Sequence, residues 1–93
     1  MALTIGIADD HQLFLKSLSI LIDNFNGCKV VVEATNGRDL LAKMESENNR
    51  PDILLLDVSM PGMNGIEVAK IISEKYPAVK ISALSSKEMI PLL

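Results

Sequence analysis

Residues 51–65 read Pro-Asp-Ile-Leu-Leu-Leu-Asp-Val-Ser-Met-Pro-Gly-Met-Asn-Gly. Four apolar residues, Ile53 to Leu56, run directly into one acid, Asp57. An apolar run this short, bounded by Pro51 and Pro61, predicts a strand over Asp52–Val58 that is buried on both faces, as in a parallel sheet. Asp57 then stands where the strand ends. In open α/β sheets ligands bind in the crevice outside the carboxyl ends of the strands. A carboxylate held at that mouth is the candidate reactive group, and the rest of the chain reads as its support.

Outward from this stretch, helix and strand patterns alternate. Leu3–Ala8 is a β-type run that ends in Asp9-Asp10, and Asp10-His11-Gln12 opens a helix, with an acid where a helix N-terminus prefers one. Phe14, Leu18, Leu21, Ile22 and Phe25 recur at helical spacing and predict its inner face. Lys29–Ala34 is a second strand, rich in β-branched residues. Asn36 caps a second helix running to about Asn48, with Leu40, Leu41 and Met44 inward. Asn64 caps a third, with Glu67 three residues on in a capping-box position and Val68, Ala69, Ile72 and Tyr76 inward. Pro77 ends it, and Lys80–Leu84 is a fourth strand, followed by Ser85-Ser86. The β-α-β-α-β-α-β alternation predicts an α/β fold, a flavodoxin-like parallel sheet of order 2-1-3-4 with right-handed crossovers. Lys87–Leu93 begins a helical pattern that Pro91 interrupts. The expectation is an unpaired fourth-strand edge, and from it self-association as a homodimer or strand-exchanged dimer.

The totals narrow the function. Ninety-three residues make one domain, 1–93, and 48% apolar residues suffice for a core. A net charge of −3 argues against a nucleic-acid-binding surface in this chain. No apolar run is long enough to span a membrane, and the N-terminus carries no basic region of a secretory signal. The single cysteine, Cys28, excludes a disulfide framework and fits a cytoplasmic setting. The single histidine, His11, excludes metal sites built from several His or Cys ligands; it reads as an exposed helix-start residue within reach of the acids.

In the 2-1-3-4 order, the first and third strands are neighbours, so Asp9, Asp10 and Asp57 converge at one mouth. Like charges this close repel, and a hard divalent cation relieves the repulsion. Mg²⁺ suits one or two carboxylates, a backbone carbonyl, waters and a phosphate oxygen. A carboxylate can attack phosphorus and form an acyl phosphate, and Ser85, closing the fourth strand, can hydrogen-bond the phosphoryl group. Against this stands the plainer reading that acids after strands are helix caps, a role Asp10 could fill alone.

Ile7-Ala8-Asp9-Asp10-His11, Leu54 through Gly65, and Ala83-Leu84-Ser85 together resemble the receiver domain of bacterial two-component response regulators. The form Asp-Asp-His-Gln-Leu-Phe after the first strand is similar to the NarL/FixJ-type subfamily. The resemblance implies that Asp57 is the phosphoacceptor, served by a sensor histidine kinase. It implies Asp10 as a direct Mg²⁺ ligand, Asp9 acting through a coordinated water and Ser59 giving its backbone carbonyl. Ser85 would be the switch hydroxyl, and Gly62 and Gly65 would allow the loop's tight turns. It implies a phosphoacceptor switch rather than a turnover enzyme, with DNA reached only through a C-terminal helix-turn-helix domain outside this chain. The family's fifth strand with its lysine, and its last two helices, are missing, and the alternative is a receiver-like interaction module that does not accept phosphate. A haloacid-dehalogenase type of phosphatase would want a second acid two residues after Asp57, where Ser59 stands.

Overall fold

Short β-branched or leucine-rich runs become strands, and the amphipathic segments between them become helices. A computed structural model describes residues 2–59, 64–85 and 88–91, with the backbone alone for 85 and 88–91. In chain order the elements are β1 (Leu3–Ala8), α1 (Gln12–Asp23), β2 (Cys28–Ala34), α2 (Gly37–Met44), a 3₁₀ turn (Glu47–Asn49), β3 (Ile53–Asp57), α3 (Gly65–Lys75), β4 (Lys80–Ser85) and β5 (Glu88–Pro91). The sheet order is β2-β1-β3-β4-β5. The first four strands are parallel, as the alternation predicts. Ala8 pairs with both Ala34 and Leu56, and Asp57 pairs with Leu84, so the carboxyl ends of these strands are level.

The open fourth-strand edge is a correction. Glu88–Pro91 returns antiparallel on β4, with Ser85 opposite Glu88 and Ser82 opposite Pro91. An unpaired edge offers a row of N–H and C=O groups that a neighbouring strand can take up. Proline, which cannot donate to a ladder, is tolerated on an outermost strand. Pairing between copies along β4 loses its basis. The strand beside β4 is therefore an antiparallel return of the chain. Lys87, Leu92 and Leu93 lie outside the described residues.

The sheet buries two cores. On one face Leu54, Leu56, Ala8, Val32 and Ile81 meet Leu40 and Met44 of α2 and Val68, Ala69 and Ile72 of α3. On the other, Ile5, Ile7 and Leu55 meet Leu15 of α1, with Leu18 and Ile22 partly buried beside them. The predicted inner face of α1 is therefore half right. Leu18 and Ile22 pack, but Phe14, Leu21 and Phe25 are 45%, 56% and 58% exposed. The buried stripe is Leu15, Leu18, Ser19 and Ile22, and the Ser19 hydroxyl donates to Glu33 Oε2 at 2.9 Å. Periodicity measures the width of an apolar stripe; it does not say which part of it a neighbour covers. This sheet face carries one helix among the described residues, and Ile53 and Leu84 on it remain only partly buried.

Asn36 caps α2 by accepting from the Asp39 N–H at 2.7 Å. The helix ends at Met44, short of Asn48, because later residues take its last carbonyls. Arg50 Nε donates to Met44 O and Nη2 to Glu45 O, each at 2.9 Å, and Asn49 Nδ2 donates to Lys43 O at 3.0 Å. The same guanidinium stacks on the Tyr76 ring, 4.5 Å from its centroid, beside the end of α3.

At the amino ends of β1 and β3 a reciprocal pair joins the chain. The Thr4 N–H donates to Asp52 Oδ2 at 2.9 Å, and the Asp52 N–H donates to Thr4 Oγ1 at 2.8 Å. The Thr4 N–H, and after it the Thr4 hydroxyl, hold the Asp52 carboxyl below its ordinary value. A carboxyl whose pKa is lowered by folding adds stability above its unfolded pKa and loses it as pH falls through the folded value. Asp52→Asn is therefore expected to be less stable than wild type at neutral pH, with the gap closing as pH falls below the ordinary carboxylate range. Urea midpoints across that range check this; a gap independent of pH would refute the assignment.

Candidate functional site

The site stands at the carboxyl ends of β1 and β3. Asp9 continues the β1–β2 ladder, its N–H donating to Ala34 O at 3.0 Å. Its side chain is nearly buried, and Oδ1 accepts from the His11 N–H at 2.8 Å. This bond across two residues turns the chain from strand into α1. The expected cap is thus corrected: Asp10 does not cap α1. His11 occupies the N-cap position without a side-chain cap bond, and the first turn holds no acid.

Asp57 ends β3 behind fully buried Leu54 and Leu56 and is itself 6% exposed. Its Oδ1 accepts twice from Ser59, from the N–H at 2.9 Å and the hydroxyl at 2.8 Å. Ser59 thus meets Asp57 through donors that the sequence did not reveal, beside the carbonyl role implied for it. The Val58 N–H donates to Leu84 O at 3.3 Å and ties this end of β3 to β4. Ser85 is the last residue of β4, one position beyond Leu84; its side chain lies outside the described residues. Gly62, with Met60, Pro61 and Met63, lies outside them too.

Gly65 is needed for a different reason from a turn. A Cβ there would sit 2.4 Å from Val58 Cα and 2.9 Å from Asp57 O. The first residue of α3 therefore touches the backbone that carries Asp57. Asn64 caps α3 by accepting from the Ile66 N–H at 2.8 Å.

One donor atom from each of Asp9, Asp10, His11 and Asp57 lies within 4.8 Å of all the others. His11 is exposed, as the sequence suggests, yet its Nδ1 is 3.2 Å from both Asp9 Oδ1 and Asp10 Oδ1. Only the approach to Asp9 has hydrogen-bond geometry, and Asp10 Oδ1 is buried without a hydrogen-bond partner. A buried, unpartnered carboxylate oxygen among three acids is an arrangement a cation would complete. The oxygen-rich set fits a hard divalent ion such as Mg²⁺. A shallow cavity of about 310 Å³ lies apart from the acids, at the outer edge of β2 between Val30, Glu33 and Lys43.

A parallel sheet of this order, with acids at its mouth, defines a flavodoxin-like α/β domain. Residues 5–93 match the response regulator receiver domain, and the chain belongs to that family. It is 35% identical to the transcriptional regulatory protein DegU of Brevibacillus brevis, over 87% of this chain and 34% of that protein. The signal receiver domain of the putative response regulator NarL from Mycobacterium tuberculosis superposes with a TM-score of 0.81 at 28% identity, covering 94% of this chain and 68% of that one. The isolated receiver domain of RcsB from Salmonella enterica serovar Typhimurium, solved with the phosphomimetic BeF₃⁻, gives 0.80 at 26% identity, covering 91% and 62%. These relatives are of the NarL/FixJ group. The chain spans about a third of the length of DegU. Among the described residues no helix is long and apolar enough to cross a membrane.

Proposed function

We propose that Asp57 accepts a phosphoryl group from the phosphohistidine of a partner sensor kinase, and that the chain works as a switch rather than as a turnover enzyme. The observation that carries this reading is the single buried carboxylate at the end of β3, with Asp9 and Asp10 beside it and one of its oxygens held by Ser59. A carboxylate oxygen of Asp57 attacks phosphorus, the bond from phosphorus to the donor's imidazole nitrogen breaks, and an acyl phosphate forms on the side chain. Ser59 fixes the carboxylate's rotation by its two bonds to Oδ1, which leaves Oδ2 for attack.

Asp10 and Asp57, with the Ser59 carbonyl, would hold Mg²⁺, and Asp9 would reach it through water. When bound, Mg²⁺ would draw charge from the phosphoryl oxygens. Ser85 would hydrogen-bond the phosphoryl group and move with it, so that added charge at Asp57 biases the β4 end between two states. Control of transcription through a DNA-binding segment outside these residues completes the proposal, in keeping with the regulators the chain resembles.

The test is intact mass after incubation with a small acyl phosphate and Mg²⁺. One phosphoryl adduct, reduced by borohydride at Asp57 and absent when the metal is chelated, is the expected result. No adduct under saturating donor and metal would overturn the reading for this chain.

A further inference from the structure

We propose that His11 is a ligand at the metal site and tilts its preference from Mg²⁺ toward divalent ions that favour imidazole, such as Ni²⁺ or Cu²⁺. This rests on the reading of Asp9, Asp10 and Asp57 as a metal site. His11 Nδ1 belongs to the same cluster of donors, all within 4.8 Å of one another. It lies 3.2 Å from an oxygen of Asp9 and 3.2 Å from an oxygen of Asp10. One ring N–H cannot serve both acids, and Asp10 Oδ1 is left unpartnered. A cation among these atoms satisfies Asp10 Oδ1 and uses the Nδ1 lone pair of the neutral ring. The approach is templated: Asp9 Oδ1 also accepts from the His11 backbone N–H at 2.8 Å, which holds the residue's main chain over the acids.

Donor chemistry sets the direction of the preference. Mg²⁺ takes oxygen ligands and retains its waters, so it gains little from the ring. Imidazole suits Ni²⁺, Cu²⁺ and Zn²⁺, for which one nitrogen among carboxylates adds affinity. The His11 side chain is 76% exposed. It can leave the site for Mg²⁺ without disturbing a core, and its replacement leaves the fold intact.

The test uses the untagged chain, in which His11 is the only histidine. Mg²⁺ and Ni²⁺ are titrated separately at pH 8 into wild type, His11→Phe and Asp57→Ala, with circular dichroism as the check of folding. His11→Phe is expected to weaken Ni²⁺ about tenfold, by the scale on which single groups tune metal sites, and to change Mg²⁺ less than twofold. Asp57→Ala is expected to weaken both. Pulsed electron resonance with Cu²⁺ should show the remote imidazole nitrogen in wild type and lose it in His11→Phe. Equal changes for the two ions in His11→Phe, or a nitrogen signal and Ni²⁺ affinity that persist in Asp57→Ala, would overturn the proposal. If Mg²⁺ affinity ignores Asp57→Ala, the metal-site reading itself fails and takes the proposal with it.

Discussion

Asp57→Asn is expected to abolish the phosphoryl adduct entirely while leaving the fold in place. The amide is nearly isosteric with the carboxylate, and its oxygen can still accept the two bonds from Ser59 that now end on Oδ1. What it lacks is a nucleophilic carboxylate oxygen. Removing one of three neighbouring negative charges also relieves repulsion at the mouth. Stability should therefore hold or rise, by on the order of 1 kcal/mol, which is about 4–8 °C in melting temperature for a domain of this size. Mass spectrometry and a thermal melt check the two halves together. An adduct that persists in Asp57→Asn would move the phosphoacceptor elsewhere. A variant that loses its adduct only because it unfolds would be exposed by the melt.

Gly65→Ala should cost about 3 kcal/mol, a large share of the roughly 5–15 kcal/mol that holds a domain together. Two effects oppose each other. Alanine is a better helix former than glycine by about 1 kcal/mol. The added methyl, however, would meet Val58 Cα at 2.4 Å and Asp57 O at 2.9 Å, and both are backbone atoms that cannot rotate away. The clash wins, and relief requires the start of α3 to back off from the end of β3. Because that backbone carries Asp57 and Ser59, metal affinity should fall with stability. Urea unfolding and a Mg²⁺ titration on the same variant check both. Wild-type values in both would show that α3 does not brace the site.

Much of this was readable from local chemistry. The four-residue apolar run before Asp57 marked a strand buried on both faces, and Leu54 and Leu56 are fully buried. Asn36 and Asn64 advertised their caps, because a short polar side chain before an amphipathic run has few other uses. The convergence of Asp9, Asp10 and Asp57 came from strand order alone. What escaped depends on contacts between distant segments. Arg50 ends α2 by reaching back to Met44 and Glu45 and lies on Tyr76, a partner 26 positions further along. The buried face of α1 turns on which flank the sheet covers, and a serine, Ser19, belongs to it only because Glu33 is there to meet its hydroxyl. The return of Glu88–Pro91 onto β4 was hidden because a proline in so short a run reads as a break. His11 beside the acids had one signal, its adjacency to them, and nothing in the pattern said which way the ring would lean.

The Thr4–Asp52 pair has a consequence for how the molecule could move. Asp52 also accepts on its carbonyl from the Lys80 N–H at 2.9 Å, and its own N–H reaches Thr4 O at 2.9 Å. One residue thus stitches β1, β3 and β4 together at their amino ends. Asp57 stands five residues further along β3, about 16 Å at the usual rise of a strand. A rearrangement at the mouth can then be a fan-like splay of strand tips about a pinned base, with no strand sliding past its neighbour. The pairing register, on which every buried leucine depends, stays out of the motion.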